Sequence, residues 1–234
     1  MSIGYFIAGT DTDVGKTTVA AGLLHAARQS GLSTAAGKPV ASGCNVTPAG
    51  LRNADALALL AECSLNLTYD QVNPFAFEPA IAPHLAAREA GVSLTVSALL
   101  GPMREVLAKG ADFTLIEGAG GWRVPLADQA NLSDLAIGLG LPVILVVGVR
   151  LGCISHALLT VEAIESRGLT VIGWVANETQ ADMAFADENV AALAQRIDAP
   201  LLGRIPRLER PSAEAAAAHI DFTELPNWPT RNKL

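Results

Sequence analysis

Short runs of consecutive apolar residues alternate with helical stretches along most of this 234-residue chain. A strand that is apolar without alternation is buried on both faces, which is typical of a parallel sheet covered by helices. The repeated order of strand and helix favours the same architecture. We therefore predict an α/β fold with a mostly parallel central sheet and helices on both faces. The predicted strands are residues 5–9, 34–40, 113–117, 143–149, 171–176 and 201–205, and the predicted helices are residues 16–29, 53–61, 95–109, 155–167 and 184–196.

The composition indicates one folded domain with a large core. Half of the residues are hydrophobic and 17% are charged, which argues against disorder. We expect a single domain over residues 1–224 and a polar, flexible tail over residues 225–234. The formal net charge of −7 argues against binding to the phosphate backbone of nucleic acids. The longest uncharged apolar run, residues 135–149, is shorter than a membrane span and is broken by Gly138, Gly140 and Pro142, so we expect no membrane span.

The cysteine count and the first residues bear on the compartment. Cys44, Cys63 and Cys153 show no CxxC spacing and are odd in number, which fits a reducing compartment better than a disulfide framework. The first residues have no basic region before the apolar stretch, so we expect no signal peptide. We expect a soluble cytoplasmic protein.

A glycine-rich segment links the first predicted strand to the first predicted helix. It reads Gly-Thr-Asp-Thr-Asp-Val-Gly-Lys-Thr-Thr over residues 9–18. Backbone N–H groups of such a turn surround phosphate oxygens, Lys16 supplies positive charge, and the Thr17 hydroxyl can bind Mg²⁺. Five residues separate Gly9 from Gly15, one more than the common spacing. The alternative is a capped surface turn at a helix start, but the strand–turn–helix context favours a phosphate loop.

Three charged residues are candidates for the same site. Glu117 ends a predicted strand, and the carboxyl ends of parallel strands are where ligands gather; the alternative is a solvated acid. Asp55 follows Asn53 at a helix start, where it could bind Mg²⁺ or only favour the helix dipole. Lys38 lies at the carboxyl end of the second predicted strand and could neutralise a transferring phosphoryl group, or be a surface lysine beside a turn. The spacing alone leaves both alternatives open for Asp55 and Lys38. The four histidines show no zinc spacing.

Further segments follow the phosphate loop along the chain, and together with the loop they span residues 5–206. They are Lys38-Pro39-Val40-Ala41-Ser42-Gly43, Leu51-Arg52-Asn53, Asp55-Ala56-Leu57, Glu117-Gly118-Ala119-Gly120-Gly121-Trp122, residues 142–148, Leu151-Gly152-Cys153-Ile154 and Gly173-Trp174-Val175-Ala176-Asn177. With these segments the chain resembles the dethiobiotin synthetases, which are P-loop enzymes of biotin biosynthesis. The resemblance favours functional roles for Asp55 and Lys38.

The resemblance implies an ATP-dependent ligase that forms C–N bonds. Its substrates would be 7,8-diaminononanoate and CO₂, with ATP as co-substrate and Mg²⁺ as cofactor. A substrate amine would form a carbamate, the carbamate would take the γ-phosphoryl group, and the second amine would close the ring. The resemblance also implies a homodimer with the substrate site near the interface.

Site residues are carried over by the same resemblance. Those implied in catalysis are Lys38, Lys16 and Thr12; those implied to bind the metal are Thr17, Asp55 and Glu117. Those implied to bind nucleotide and Mg²⁺ are Asp13, Val14, Gly15, Lys16, Thr17, Thr18, Asp55, Glu117, Gly118, Ala119, Gly120, Asn177, Pro206 and Arg207. Those implied to bind substrate are Thr12, Lys38, Ser42, Gly152, Cys153 and Ser155. The chain departs from the family pattern in having Asp13 for Glu, Ser155 for Asn, and Asn189 near a familiar tyrosine position.

Two other kinds of protein share these features in part. A partitioning-type ATPase switch has the same core and phosphate loop, but typically carries an extra lysine early in the loop, where this chain has Thr10 and Asp11. A nucleotide-binding paralogue without turnover would have no evident need for Lys38, Asp55 and Glu117 together. The enzyme is therefore the favoured interpretation.

Overall fold

A parallel β-sheet is the centre of the computed structural model, which describes residues 3–127, 129–225 and 228. The strands are β1 (Ile3–Gly9), β2 (Thr34–Gly37), β3 (Val40–Ala41), β4 (Asn45–Thr47), β5 (Gly50–Arg52), β6 (Phe75–Ala76), β7 (Phe113–Glu117), β8 (Pro125–Ala127), β9 (Ala130–Asn131), β10 (Val143–Val149), β11 (Val171–Glu178) and β12 (Leu201–Ile205). The helices are α1 (Lys16–Gln29), α2 (Ala54–Ala61), α3 (Tyr69–Val72), α4 (Pro83–Glu89), α5 (Val96–Ala108), α6 (Leu132–Leu139), α7 (Cys153–Glu165), α8 (Ala186–Ala194) and α9 (Ala213–Ala217), followed by a 3-10 turn at Phe222–Glu224.

Six strands form the main sheet in the order β12-β11-β10-β1-β7-β2, and each neighbouring pair is parallel. Consecutive residues of β1 bury on opposite faces: Phe6 packs into the core that includes Ala157 of α7, and Ile7 packs into the core that includes Leu24 of α1. Burial on both faces explains the unbroken apolar runs. The predicted α/β fold with a parallel sheet and helices on both faces is confirmed.

The sheet order brings three distant loops together. Strand β7 lies between β1 and β2, so the loops that follow Gly9, Glu117 and Gly37 leave the same edge side by side. The phosphate loop, the Glu117 segment and Lys38 come from these three loops. Parallel topology therefore builds the candidate site.

The prediction of one strand over residues 34–40 is wrong. Strand β2 ends at Gly37, and Val40 and Ala41 pair instead with Phe75 and Ala76 in a separate two-stranded sheet. Pro39 lacks an N–H and disfavours continued strand pairing at that point. The break turns the chain just after Lys38 and leaves that side chain facing the edge of the sheet.

The packed part of the chain extends beyond residue 224, where the sequence predicts that it ends. Leu225 is buried, and the Trp228 ring lies 5.2 Å from the Phe113 ring and 4.3 Å from the Phe222 ring, centroid to centroid. Leu225 and Trp228 therefore belong to the packed part of the chain rather than to a loose tail. Residues 226, 227 and 229–234 of the predicted tail lie outside the described residues. Within the described part, no helix has the length and apolar character to cross a membrane.

Candidate active site

The phosphate loop is shaped by backbone conformations that few residues adopt. Gly15 has a φ of +85° just before α1, and Asp13 also has a positive φ, 57°. A Cβ on Gly15 would lie 2.1 Å from Asn177 Nδ2, so glycine is required by space as well as by conformation. The Asn177 amide donates to the Val14 carbonyl at 2.8 Å and fixes the loop from strand β11.

Lys16 is buried inside this loop. Its Nζ donates to the carbonyl of Asp11 at 2.9 Å, and its side chain lies within the cleft above the sheet edge. Burial, and next the positive charge of Lys38, lower the pKa of Lys16 from 10.5 to about 8. The ammonium is therefore close to losing its proton at mildly alkaline pH.

We expect ATP binding near pH 9 to take up about one proton per site. At that pH, above the lowered pKa, free Lys16 is mostly neutral, and the phosphate oxygens of a bound nucleotide favour its charged form. Titration calorimetry in two buffers of different ionisation enthalpy measures the uptake. Lys16→Arg, whose guanidinium stays charged, should bind ATP without taking up a proton. Equal enthalpies in the two buffers for the parent protein would contradict the expectation.

Lys38 is a buried ammonium that contacts two carboxylates. Its Nζ is 2.5 Å from Glu117 Oε1 and 3.2 Å from Asp55 Oδ2, and it also donates to the Gly118 carbonyl at 3.3 Å. Burial lowers the pKa of Lys38, but the Glu117 and Asp55 carboxylates outweigh that effect and hold the pKa above 10.5. Lys38 therefore stays an ammonium at the carboxyl end of β2.

Glu117 joins the phosphate loop to Lys38. Its side chain is fully buried, and Oε1 also accepts from the Thr17 hydroxyl at 2.8 Å. Its Oε2 atom is buried without a hydrogen-bond partner among the described residues. A buried carboxylate oxygen without a partner needs an explanation, and a bound ion is one that the chemistry allows.

Asp11 links the loop to the next strand of the sheet. Its Oδ1 accepts from the Thr12 N–H at 2.7 Å, and its Oδ2 pairs with the Arg150 guanidinium just after β10. The Thr12 N–H, and after it Arg150, lower the pKa of Asp11 against the opposing effect of burial. Neither Asp11 nor Arg150 has a role predicted from the sequence, although each follows a buried strand of the same sheet.

A cleft of about 400 Å³ collects most of the predicted residues. Two residues without a predicted role, Ala41 and Asn53, line it as well. Val14 and Gly118 do not line it; instead their carbonyls accept from Asn177 and Lys38. The predicted residues that line the cleft are Thr12, Asp13, Gly15, Lys16, Thr17, Thr18, Lys38, Ser42, Asp55, Glu117, Ala119 and Gly120.

Another cavity, of about 130 Å³, holds three of the residues predicted to bind the nucleotide. Asn177, Pro206 and Arg207 line it, together with Glu178, Leu208 and Pro211. Thr18 of α1 lines both cavities, so the two adjoin at the start of that helix. A nucleotide with its phosphates in the loop has room for its base here.

Three predicted substrate residues line neither cavity. Gly152, Cys153 and Ser155 lie at the start of α7, where Cys153 is buried with its Sγ 3.8 Å from Asn189 Oδ1, and Ser155 is exposed. A single chain therefore does not bring them to the cleft.

Comparisons with known proteins separate the alternatives. Residues 3–215 match the family described as an AAA domain. The chain is 66% identical to the ATP-dependent dethiobiotin synthetase BioD of Pseudomonas paraeruginosa over 94% of its own length and 97% of that protein's. The chain belongs to the dethiobiotin synthetase family. BioD of Cellvibrio japonicus is 61% identical over 94% of this chain and 96% of that protein.

Membership of this family makes the chain an ATP-dependent ligase that forms a C–N bond, and ATP its co-substrate. Solved structures of lower identity support the fold alone. A ParA family ATPase from Chlorobium tepidum has a TM-score of 0.56 at 12% identity, with 94% of this chain and 91% of that chain covered. The MinC:MinD complex of Aquifex aeolicus has a TM-score of 0.54 at 15% identity, with 93% and 86% covered. The partitioning-type alternative thus shares the architecture and is not favoured for the function.

Proposed function

We propose that the chain closes the cyclic urea of dethiobiotin from 7,8-diaminononanoate and CO₂, while ATP is converted to ADP and phosphate. The observation that carries the proposal is the position of Lys38, Asp55 and Glu117, which face the phosphate loop in one cleft. The identity of 66% to a named dethiobiotin synthetase supports the choice of substrates.

The proposed reaction has three steps. One substrate amine adds to CO₂ and loses a proton, which gives a carbamate. A carbamate oxygen attacks the γ-phosphorus, and the bond to the β,γ-bridging oxygen breaks so that ADP leaves. The second amine then attacks the carbamate carbon and loses a proton; the C–O bond breaks, the ring closes and phosphate leaves.

The charged residues serve the phosphoryl transfer. In this proposal the loop amides and Lys16 hold the triphosphate, and Lys38 neutralises the charge that grows between carbamate and γ-phosphate. Thr12 and Ser42 contact the carbamate and the substrate, and Asn177, Pro206 and Arg207 contact the base. Transfer of this kind depends mainly on positioning and charge neutralisation, which fixed buried ammonium groups provide.

Thr17, Asp55 and Glu117 fit a Mg²⁺ ion. A hydroxyl and two carboxylates are the oxygen ligands that Mg²⁺ prefers beside substrate phosphates. The unpartnered Oε2 of Glu117 and the half-exposed Asp55 side chain leave acceptor capacity for it. When bound, the ion would neutralise part of the negative charge of the substrate phosphates.

A homodimer would supply the rest of the substrate site. Leu151, just before α7, is 92% exposed, and Leu159, in the middle of that helix, is 60% exposed; Gly152, Cys153 and Ser155 lie between them. Large exposed apolar side chains close together in the chain favour burial against a second chain. Leu159→Glu should give a monomer by sedimentation analysis. Leu57→Glu, which also replaces an exposed leucine but lies on α2, should leave the protein dimeric.

A cytoplasmic location completes the proposal. Cys44, Cys63 and Cys153 are free thiols in the described chain, and they suit a reducing compartment that also holds ATP.

The decisive experiment follows phosphate release from Mg-ATP and bicarbonate, with and without 7,8-diaminononanoate, alongside mass detection of the product. We expect release to require the diamine and dethiobiotin to appear. Diamine-independent hydrolysis, or no hydrolysis, would overturn the proposal and favour a nucleotide switch or a nucleotide-binding paralogue without turnover.

A further inference from the structure

Residues at the end of the short helix α3 form hydrogen bonds with the backbone of Lys38. The Lys38 N–H donates to the Val72 carbonyl at 2.7 Å, and Asn73 Nδ2 donates to the Lys38 carbonyl at 2.7 Å. Asn73 is only 2% exposed. Residues at the end of α3 therefore satisfy both backbone polar groups of Lys38 at the point where it leaves the main sheet.

The hydroxyl of Tyr69 extends this hold to the other side of the cleft. It accepts from the Asn53 N–H at 2.7 Å and donates to Asn73 Oδ1 at 2.9 Å. Asn53 is the N-cap of α2, since its side chain accepts from the Ala56 N–H at 3.2 Å, and Asp55 lies in the first turn of that helix. One hydroxyl therefore connects the segment of Lys38 to the segment of Asp55.

Two further contacts involve Asn53 and Tyr69: one reaches a residue that lines the cleft, and the other covers the Tyr69 ring. Asn53 Nδ2 donates to the Ser42 carbonyl at 3.4 Å, so a third lining residue is held by the same network. The Arg52 guanidinium carbon lies 4.1 Å from the centroid of the Tyr69 ring. A cation stacked on the ring covers it and restricts its movement.

We propose that Tyr69 and Asn73 are positioning residues for the ligase reaction, which hold Lys38 and Asp55 at one fixed separation across the cleft. The proposal rests on the roles given above to Lys38 and Asp55. A buried network in which every member is satisfied specifies one arrangement, whereas loss of one member leaves buried groups unpaired. Neither residue lines the cleft, so each acts through Lys38 and Asp55 rather than on the substrate.

Tyr69→Phe tests the proposal, because it removes only the hydroxyl. We expect kcat to fall about tenfold or more, as is common when a supporting hydrogen bond to reacting groups is lost. The KM for ATP should stay within about threefold, since the phosphate loop is untouched. The matched control is Tyr5→Phe, which removes a hydroxyl from the only other tyrosine, in strand β1. It should lower thermal stability without changing kcat.

Asn73→Asp is the second variant and decides the matter if Tyr69→Phe folds poorly. The aspartate keeps an acceptor for the Tyr69 hydroxyl but replaces the donor to the Lys38 carbonyl by an oxygen. We expect the same loss of kcat with a nearly unchanged KM for ATP. Either folded variant with the kcat of Tyr5→Phe would overturn the proposal, as would a parallel loss of kcat and ATP affinity. Failure of the parent protein to make dethiobiotin would instead overturn the proposed function.

Discussion

Lys38→Ala should lower kcat about a thousandfold while the KM for ATP stays within about threefold. The Lys38 ammonium lies within 3.2 Å of the Asp55 and Glu117 carboxylates, at the edge of the sheet where the γ-phosphate would lie. In the proposed mechanism Lys38 stabilises charge that develops during transfer, whereas the loop and Lys16 hold the nucleotide. Steady-state kinetics at saturating diamine and bicarbonate measure both constants.

Two controls separate catalysis from stability in this experiment. Removing Lys38 leaves the buried Glu117 carboxylate without its cation, which costs about 3–5 kcal/mol of unfolding free energy. Lys38→Ala combined with Glu117→Gln should recover part of that stability and none of the turnover. Lys109→Ala, at an exposed helix end, should leave both constants unchanged. An equal loss of kcat and ATP affinity in Lys38→Ala would show that Lys38 binds ground state and transition state alike.

Gly15→Ala should weaken ATP binding about 100-fold or more. The φ of +85° alone costs an alanine about 1–2 kcal/mol. In addition, the new Cβ would meet Asn177 Nδ2 at 2.1 Å, so the loop must move and its N–H groups no longer converge on phosphate oxygens. Titration of a fluorescent ATP analogue into the folded variant measures the loss.

Gly91→Ala is the matched control for the backbone. Gly91 has a φ of +67°, and a Cβ there would meet nothing within 4 Å. It should cost similar strain and leave ATP binding unchanged. Binding by Gly15→Ala within a few-fold of the Gly91→Ala value would contradict the role of the Gly15–Asn177 contact.

For some elements the sequence predicts both ends at the residue where the structure has them. Helix α1 and strands β7, β10 and β12 have the predicted bounds. Strands β7 and β10 are fully buried and β12 partly buried, and local turn or polar signals mark where these elements end. Helices α7 and α8 exist where predicted, with each end shifted by two residues. End residues depend on local caps and vary more than the existence of an element.

Other features needed the structure. The prediction of a continuous strand over residues 34–40 overlooked Pro39, which ends pairing with β7. The hydrogen bonds of Tyr69 to Asn53 and Asn73 depend on three segments meeting in space, and no local pattern marks them. Asp55 and Lys38 had two interpretations each from spacing alone; their contact at 3.2 Å is a finding of the structure.

The position of β1 in the sheet bears on how the chain folds. This strand, residues 3–9, pairs with β7 on one side and with β10 on the other, more than 100 residues later in the chain. During synthesis it therefore leaves the ribosome long before either neighbour exists. Contacts between such distant segments make folding slow, and they expose apolar strands while it proceeds. The cleft, which needs the loops after β1, β2 and β7 together, has no partly active precursor: it forms only when the middle of the sheet closes.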